Sequence, residues 1–111
     1  MNRPKIAGTR FERAVCDYLE PRFPHVERQC LRGNRDRGDL LGIVGWALEL
    51  KAEKKLDPTT ALKEAEVAAR NSGAAWHAAI LKRPRRGIGD ALVVMTLDQW
   101  ADLIADERRT P

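Results

Sequence analysis

Between two short apolar runs, Trp46 to Ala52 and Trp76 to Lys82, the chain carries Asp57-Pro58, then Ala61, Leu62, Ala65, Ala68 and Ala69, then Gly73. Alanines at these spacings form one helical face, proline suits the first helical position and glycine the stop. A strand, an alanine-rich helix and a second apolar strand predict a right-handed crossover between strands that share one sheet. The rest of the 111 residues must be arranged around that unit. A chain of this length with 43% apolar residues suits one domain over 1–111, burying roughly 65% of its unfolded surface.

Upstream, Phe11, Ala14, Val15, Tyr18 and Leu19 repeat at helical spacing, with Thr9 as N-cap and Pro21 as stop. His25 to Cys30 reads as a strand, and Leu31 to Gly38 as a loop. Asp39 to Val44 and Trp46 to Ala52 flank Gly45 and read as an antiparallel hairpin. After the strand Trp76 to Lys82, Gly87-Ile88-Gly89 reads as a hairpin turn and Ala91 to Met95 as a fifth strand. Thr96-Leu97-Asp98-Gln99 has the form of a capping box, opening a helix expected to bury Leu97, Trp100, Leu103 and Ile104. The expected fold is α/β, a mixed sheet flanked by helices in the order αβββαββα. Trp46, Trp76 and Trp100 are expected in the core.

Several function classes are excluded early. The longest apolar or glycine run, Leu40 to Leu48, is far too short to span a membrane. The basic N-terminus lacks the apolar stretch of a signal peptide, and Cys16 and Cys30 make no disulfide framework. His25 and His77 stand far apart, and no Cys/His cluster has zinc spacing. A reduced, cytoplasmic protein is expected.

The net charge of +4 is unevenly placed. Residues 1–37 hold nine basic and five acidic side chains, whereas 38–111 hold eleven of each. Within that balanced remainder, Lys82-Arg83-Pro84-Arg85-Arg86 forms a second basic concentration. Arginine outnumbers lysine fourteen to six, which suits bidentate phosphate contacts. Nucleic acid is therefore the leading partner class.

Glu49 and Lys51, two apart on a strand, project from one face, while Trp46, Leu48 and Leu50 point to the other. In a hairpin centred near Val44, Asp39 lies opposite Glu49. Two carboxylates side by side repel unless something positive lies between them, and a divalent metal supplies that charge. Glu12 would be the third helical residue of a capping box begun by Thr9, at the margin of the apolar stripe. From that margin it faces toward the same cleft.

Gly38-Asp39, ten residues before Glu49-Leu50-Lys51, with Glu12 on an N-terminal helix, resembles the PD-(D/E)xK nuclease superfamily. The phrasing of Gly8 to Arg13, Arg37 to Gly42, Leu48 to Lys51 and Asp90 to Met95 is similar to that of small phage and archaeal Holliday-junction resolvases. The resemblance implies a restriction-endonuclease-like fold and a Mg²⁺ or Mn²⁺ site made by Asp39, Glu49 and the Leu50 carbonyl, with Glu12 completing or extending it. Lys51 would orient or activate the attacking water, or stabilise developing phosphate charge. Gly38 stands where proline is usual. On the following helix, where many relatives carry a polar residue, Glu64 and Glu66 occupy the neighbourhood.

Hard oxygen ligands select Mg²⁺ or Mn²⁺ over zinc, and flanking cations must offset the acids' repulsion of DNA. Arg3, Lys5, Arg10 and Arg13 lie near Glu12 in sequence, Arg32, Arg35 and Arg37 just before Asp39, and Lys82, Arg83, Arg85 and Arg86 after the crossover strand. Contacts from these groups would position phosphates without reading sequence. The expected activity is metal-dependent, paired cleavage of four-way DNA junctions by a homodimer. Its interface is expected around Leu92 to Met95 and the last helix. The alternatives are a flap, nicking or exonuclease of the same superfamily, or a DNA-binding module that does not cleave.

Overall fold

A computed structural model describes residues 3–28, 40–55 and 57–107. The elements in chain order are α1 (Arg3–Leu19), β1 (Glu27–Arg28), β2 (Leu40–Leu41), β3 (Trp46–Lys51), α2 (Pro58–Ser72), β4 (Trp76–Leu81), a 3-10 turn (Ile88–Asp90), β5 (Leu92–Val94) and α3 (Leu97–Glu107). The protein is a small α/β fold. Its three-stranded mixed sheet runs β3-β4-β5, beside a separate β1-β2 pair. No described helix is long and apolar enough to cross a membrane.

The crossover predicted from sequence forms the centre. β3 and β4 are parallel, in register from Trp46↔Trp76 to Lys51↔Leu81. α2 begins where its chemistry directs: the amides of Thr59 and Thr60 donate to Asp57 Oδ1 at 3.1 and 3.3 Å, and the Thr60 hydroxyl donates to Oδ2 at 2.6 Å. Those Thr60 bonds, helped by the Thr59 amide, hold the Asp57 carboxyl below its ordinary range. The helix stops at Gly73, whose φ of +76° is left-handed and whose N–H bonds to the Ala69 carbonyl.

Strand alternation divides the core in two. Trp46, Leu48 and Leu50 join Ala78 and Ile80 under Phe11 and Val15 of α1. On the other face Ala47 packs with Ala68 and Ala69, and Ala61 with Ala79 and Leu81. Alanine meeting alanine lets α2 lie close to the sheet. The larger apolar contribution is on the α1 side, at about 1.5–3 kcal/mol for each buried Leu, Ile, Val or Phe.

Five local expectations are corrected. First, α1 begins at Arg3, so Thr9 is inside the helix and is not its N-cap, and Glu12 is not part of a capping box. Pro4 falls in the first turn, where a missing N–H is tolerated.

Second, the expected hairpin between the second and third strands does not form among the described residues. β2 instead pairs antiparallel with β1, Glu27↔Leu41 and Arg28↔Leu40. Gly42 (φ +93°) and Gly45 (φ +86°) turn the chain twice between β2 and β3. Gly42 also lies so near the His25 carbonyl that a Cβ there would overlap it.

Third, α3 does not bury the stripe assigned to it. Leu97, Trp100 and Ile104 are exposed, Leu103 is half-buried, and Trp100 is therefore not a core residue. Trp46 and Trp76 are half-buried and stack at 6.0 Å between centroids.

Fourth, the capping box at α3 is only half made. The Gln99 N–H donates to Thr96 Oγ1 at 3.1 Å, but the Gln99 side chain turns to β4. It accepts from the His77 N–H at 2.8 Å and donates to the His77 carbonyl at 2.9 Å. β5 pairs with β4 only as far as Val94↔Ala79, so the Gln99 amide occupies the position the next strand residue would take. Fifth, Gly87-Ile88-Gly89 is not a tight hairpin turn: Ile88–Asp90 is a 3-10 turn within a longer connection.

Candidate functional site

Glu49 and Lys51 project from the α2 face of β3, opposite Leu48 and Leu50, as strand alternation requires. Both stand at the C-terminal end of the parallel pair, where ligands bind in open α/β sheets. The Lys51 ammonium lies 3.6 Å from Glu49 and 2.7 Å from Glu64 Oε1 on α2. Partial burial alone would lower the Lys51 pKa. The bond to Glu64 and the fields of Glu49, Glu64 and Glu53 outweigh it and raise the pKa above the usual lysine value. Lys51 is thus a charged group at neutral pH.

Of the two acids marked on α2, Glu64 reaches the site and Glu66 does not. Glu64 stands at the margin of the alanine face, three residues after Ala61 and four before Ala68. Glu66 is on the outer side and pairs with Arg70 at 3.5 Å. A groove of about 210 Å³ opens beside Lys51 and Glu64, walled by Glu53, Lys55, Asp57 and Thr60. Glu53 and Lys55 were not singled out from sequence. Their position just past the strand end was the available signal.

The basic loop begins at the same end of the sheet. The Lys82 N–H bonds to the Lys51 carbonyl at 3.0 Å, so Lys82 to Arg86 leave the sheet beside the site. Lys82, Arg85 and Arg86 are exposed and Arg83 is half-buried; none has an ion pair among the described residues. Arg85 has φ +59°, a left-handed conformation that costs a side-chain-bearing residue about 1–2 kcal/mol. Arg10 and Arg13 are exposed on α1.

Glu12 is half-buried on α1. That helix covers the Leu48/Leu50 face of β3, whereas Glu49 and Lys51 project from the face that α2 covers. Asp39, Arg32, Arg35 and Arg37 lie outside the described residues, as do the side chains of Arg3 and Lys5.

Glu49 offers the hard oxygen donors that suit Mg²⁺ or Mn²⁺, and it already lies beside one cationic group. The Lys51 and Gly45 carbonyls point toward β4, so by alternation the Leu50 carbonyl points to the opposite edge of β3. Among the described residues, no three His, Cys, Asp or Glu side chains gather as a metal site. Of the carboxylates that the resemblance assigns to the metal, Glu49 stands on this face, Glu12 is on the helix covering the other face, and Asp39 lies outside the described residues. Comparisons with protein-family models, curated proteins and solved structures found no match to this chain.

Proposed function

We propose that this chain is a metal-dependent endodeoxyribonuclease that resolves four-way DNA junctions by paired phosphodiester hydrolysis. The observation that carries the reading is the convergence of Glu49, Lys51 and the loop Lys82–Arg86 at one end of the sheet, Lys82 being bonded to Lys51. An acid paired with a lysine beside a loop of cations suits an anionic polymer that must be held and hydrolysed.

In this reading the arginines of the loop hold phosphates on either side of the scissile bond. Glu49, Asp39 and the Leu50 carbonyl would hold Mg²⁺ or Mn²⁺; Glu12, which the resemblance also assigns, is on the helix that covers the other face of β3, so its part in the site is the one the variant below tests. The ion, when bound, neutralises phosphate charge and acidifies a water. Lys51, paired with Glu64 and Glu49, is placed to orient or activate the attacking water or to stabilise developing charge on the phosphate. Water attacks phosphorus in line, the P–O bond to one sugar breaks, and the leaving oxygen takes up a proton.

The test is cleavage of a four-way junction, a flap and a linear duplex side by side with Mg²⁺. The expected result is preferential, symmetric cutting of the junction. Glu49→Gln and Asp39→Asn should each abolish cutting while junction binding persists. Because Glu12 lies inside α1, Glu12→Gln tests the site without disturbing a cap. Preferential flap cutting would move the protein to another nuclease class. Absence of cutting on every substrate, with binding intact, would leave a binding module.

A further inference from the structure

We infer that Tyr18, Arg22 and Phe23, at the end of α1 beside the basic loop, form a platform on which an unpaired base of a nucleic-acid strand stacks. The inference rests on nucleic acid as the partner of that loop and not on cleavage. Of the six aromatic side chains, Phe11 is buried, and Trp46 and Trp76 stack on each other. Trp100 is exposed on α3, which holds no lysine or arginine. Tyr18 and Phe23 remain, 48% and 38% exposed, and the Arg22 guanidinium lies over the Tyr18 ring, 5.9 Å from its centroid.

The sequence builds this end stiffly. The N–H groups of Arg22 and Phe23 both donate to the Leu19 carbonyl, at 2.9 and 2.8 Å, so the chain turns tightly as α1 ends. Pro21 and Pro24 fix φ on either side of the turn. Rings and a guanidinium carried on such a turn lose little freedom when a base stacks on them.

The platform lies at the same end of the sheet as Glu49 and Lys51. The connection 82–91 starts at Lys82, bonded to Lys51, and ends at Leu92, paired with Leu81, so it leaves and rejoins the sheet there. Ile88 of that connection packs into the core that α1 covers, and Tyr18 lies so near Gly89 that a Cβ there would meet its hydroxyl at 2.6 Å. The basic loop therefore runs from Lys51, on the α2 face, toward Tyr18, on the α1 face. Charge and chemistry select the occupant. Arg22, Lys82, Arg83, Arg85 and Arg86 outnumber Asp17, Glu20 and Asp90, the acids nearest in sequence. The exposed apolar surface is aromatic rather than aliphatic, and aromatics set among cations suit bases on a phosphate backbone. A base inside a duplex has both faces covered by its neighbours, so the platform takes one that is unstacked, as at a branch point or a strand end.

Binding in EDTA tests this, because cutting then plays no part. The full chain is titrated with a labelled single strand and with a duplex of equal length. Tyr18→Leu should weaken single-strand binding about 5- to 150-fold, the range for one lost stack, and duplex binding by no more than about twofold. Phe23→Leu should act in the same direction, whereas Tyr18→Phe keeps the ring and should leave both affinities nearly unchanged. In the unsubstituted chain, which needs no variant to fold, ultraviolet cross-linking of a strand carrying iodouracil should join Tyr18 or Phe23. A cross-link to Trp100 instead, or none, would overturn the inference. So would an equal loss on single strand and duplex in Tyr18→Leu, which would make Tyr18 only a support for the loop. Duplex binding that persists in those cases leaves nucleic acid standing as the partner; absence of binding to either strand form would remove it together with the platform.

Discussion

Lys51 lies nearer to Glu64 than to its strand neighbour Glu49, 2.7 against 3.6 Å, so the helix has a large part in holding its charge. Glu64→Gln keeps the size and removes that charge. At neutral pH it should lower stability by about 0.3–1 kcal/mol, the range for partly exposed ion pairs. The folded pKa of Lys51 is raised, so its contribution is fully present below the ordinary lysine value of 10.5 and is lost as pH rises through the folded value. The wild-type minus Glu64→Gln difference in urea unfolding should therefore be flat around neutrality and shrink above that value. A difference unchanged into strong alkali would mean that Glu64 acts through another group. The common face of Glu49 and Lys51 was legible in the sequence because strand alternation is a property of the backbone. Glu64 was legible only as a neighbourhood, because helical phase against the sheet depends on which alanines pack. Glu12 was misread as a capping partner because Thr9-x-x-Glu12 is a good local signal overridden by a helix that starts six residues earlier.

Where one local signal fixed an element's ends, the element was readable. Asp57-Pro58 and Gly73 bound α2 in both the sequence and the structure. Pairing was less readable, because β2 had two partners within reach and the choice turns on the approach of Gly42 to His25. The outward stripe of α3 was unreadable for a related reason. Its apolar periodicity is genuine, but Gln99 bonds to β4 and so sets which side faces in. Gln99→Leu should leave the half-buried His77 N–H and carbonyl without those partners and cost about 1–3 kcal/mol. Thr96→Ala removes only the cap and should cost about 1 kcal/mol or less. Urea unfolding of the two variants decides whether the clasp holds α3. A Gln99→Leu cost no larger than that of Thr96→Ala would show that it does not.

Across the whole molecule, the second basic concentration of the sequence joins an acidic cluster at one end of the parallel strands. The acids Glu49, Glu53 and Glu64 meet Lys51 and Lys55 there, and Lys82 to Arg86 emerge beside them. Sequence order alone could place the basic loop after the crossover strand; the parallel register is what brings Lys82 to Lys51. If the loop binds DNA, neutralising Arg83, Arg85 and Arg86 together to glutamine should weaken junction binding. It should also lower the log–log salt slope by about 0.9 for each phosphate no longer neutralised. Arg70→Gln, on the outer side of α2 and paired with Glu66, should leave the slope unchanged. Arg85 also allows binding to be separated from folding. Its φ of +59° suits glycine better than arginine, so Arg85→Gly should stabilise the protein by up to about 1 kcal/mol while still reducing the salt slope. A more stable variant with weaker, less salt-dependent binding would mean that arginine is held in an unfavourable backbone conformation for its charge. An unchanged slope in both the single and the triple variant would mean that the loop is only a solvated turn.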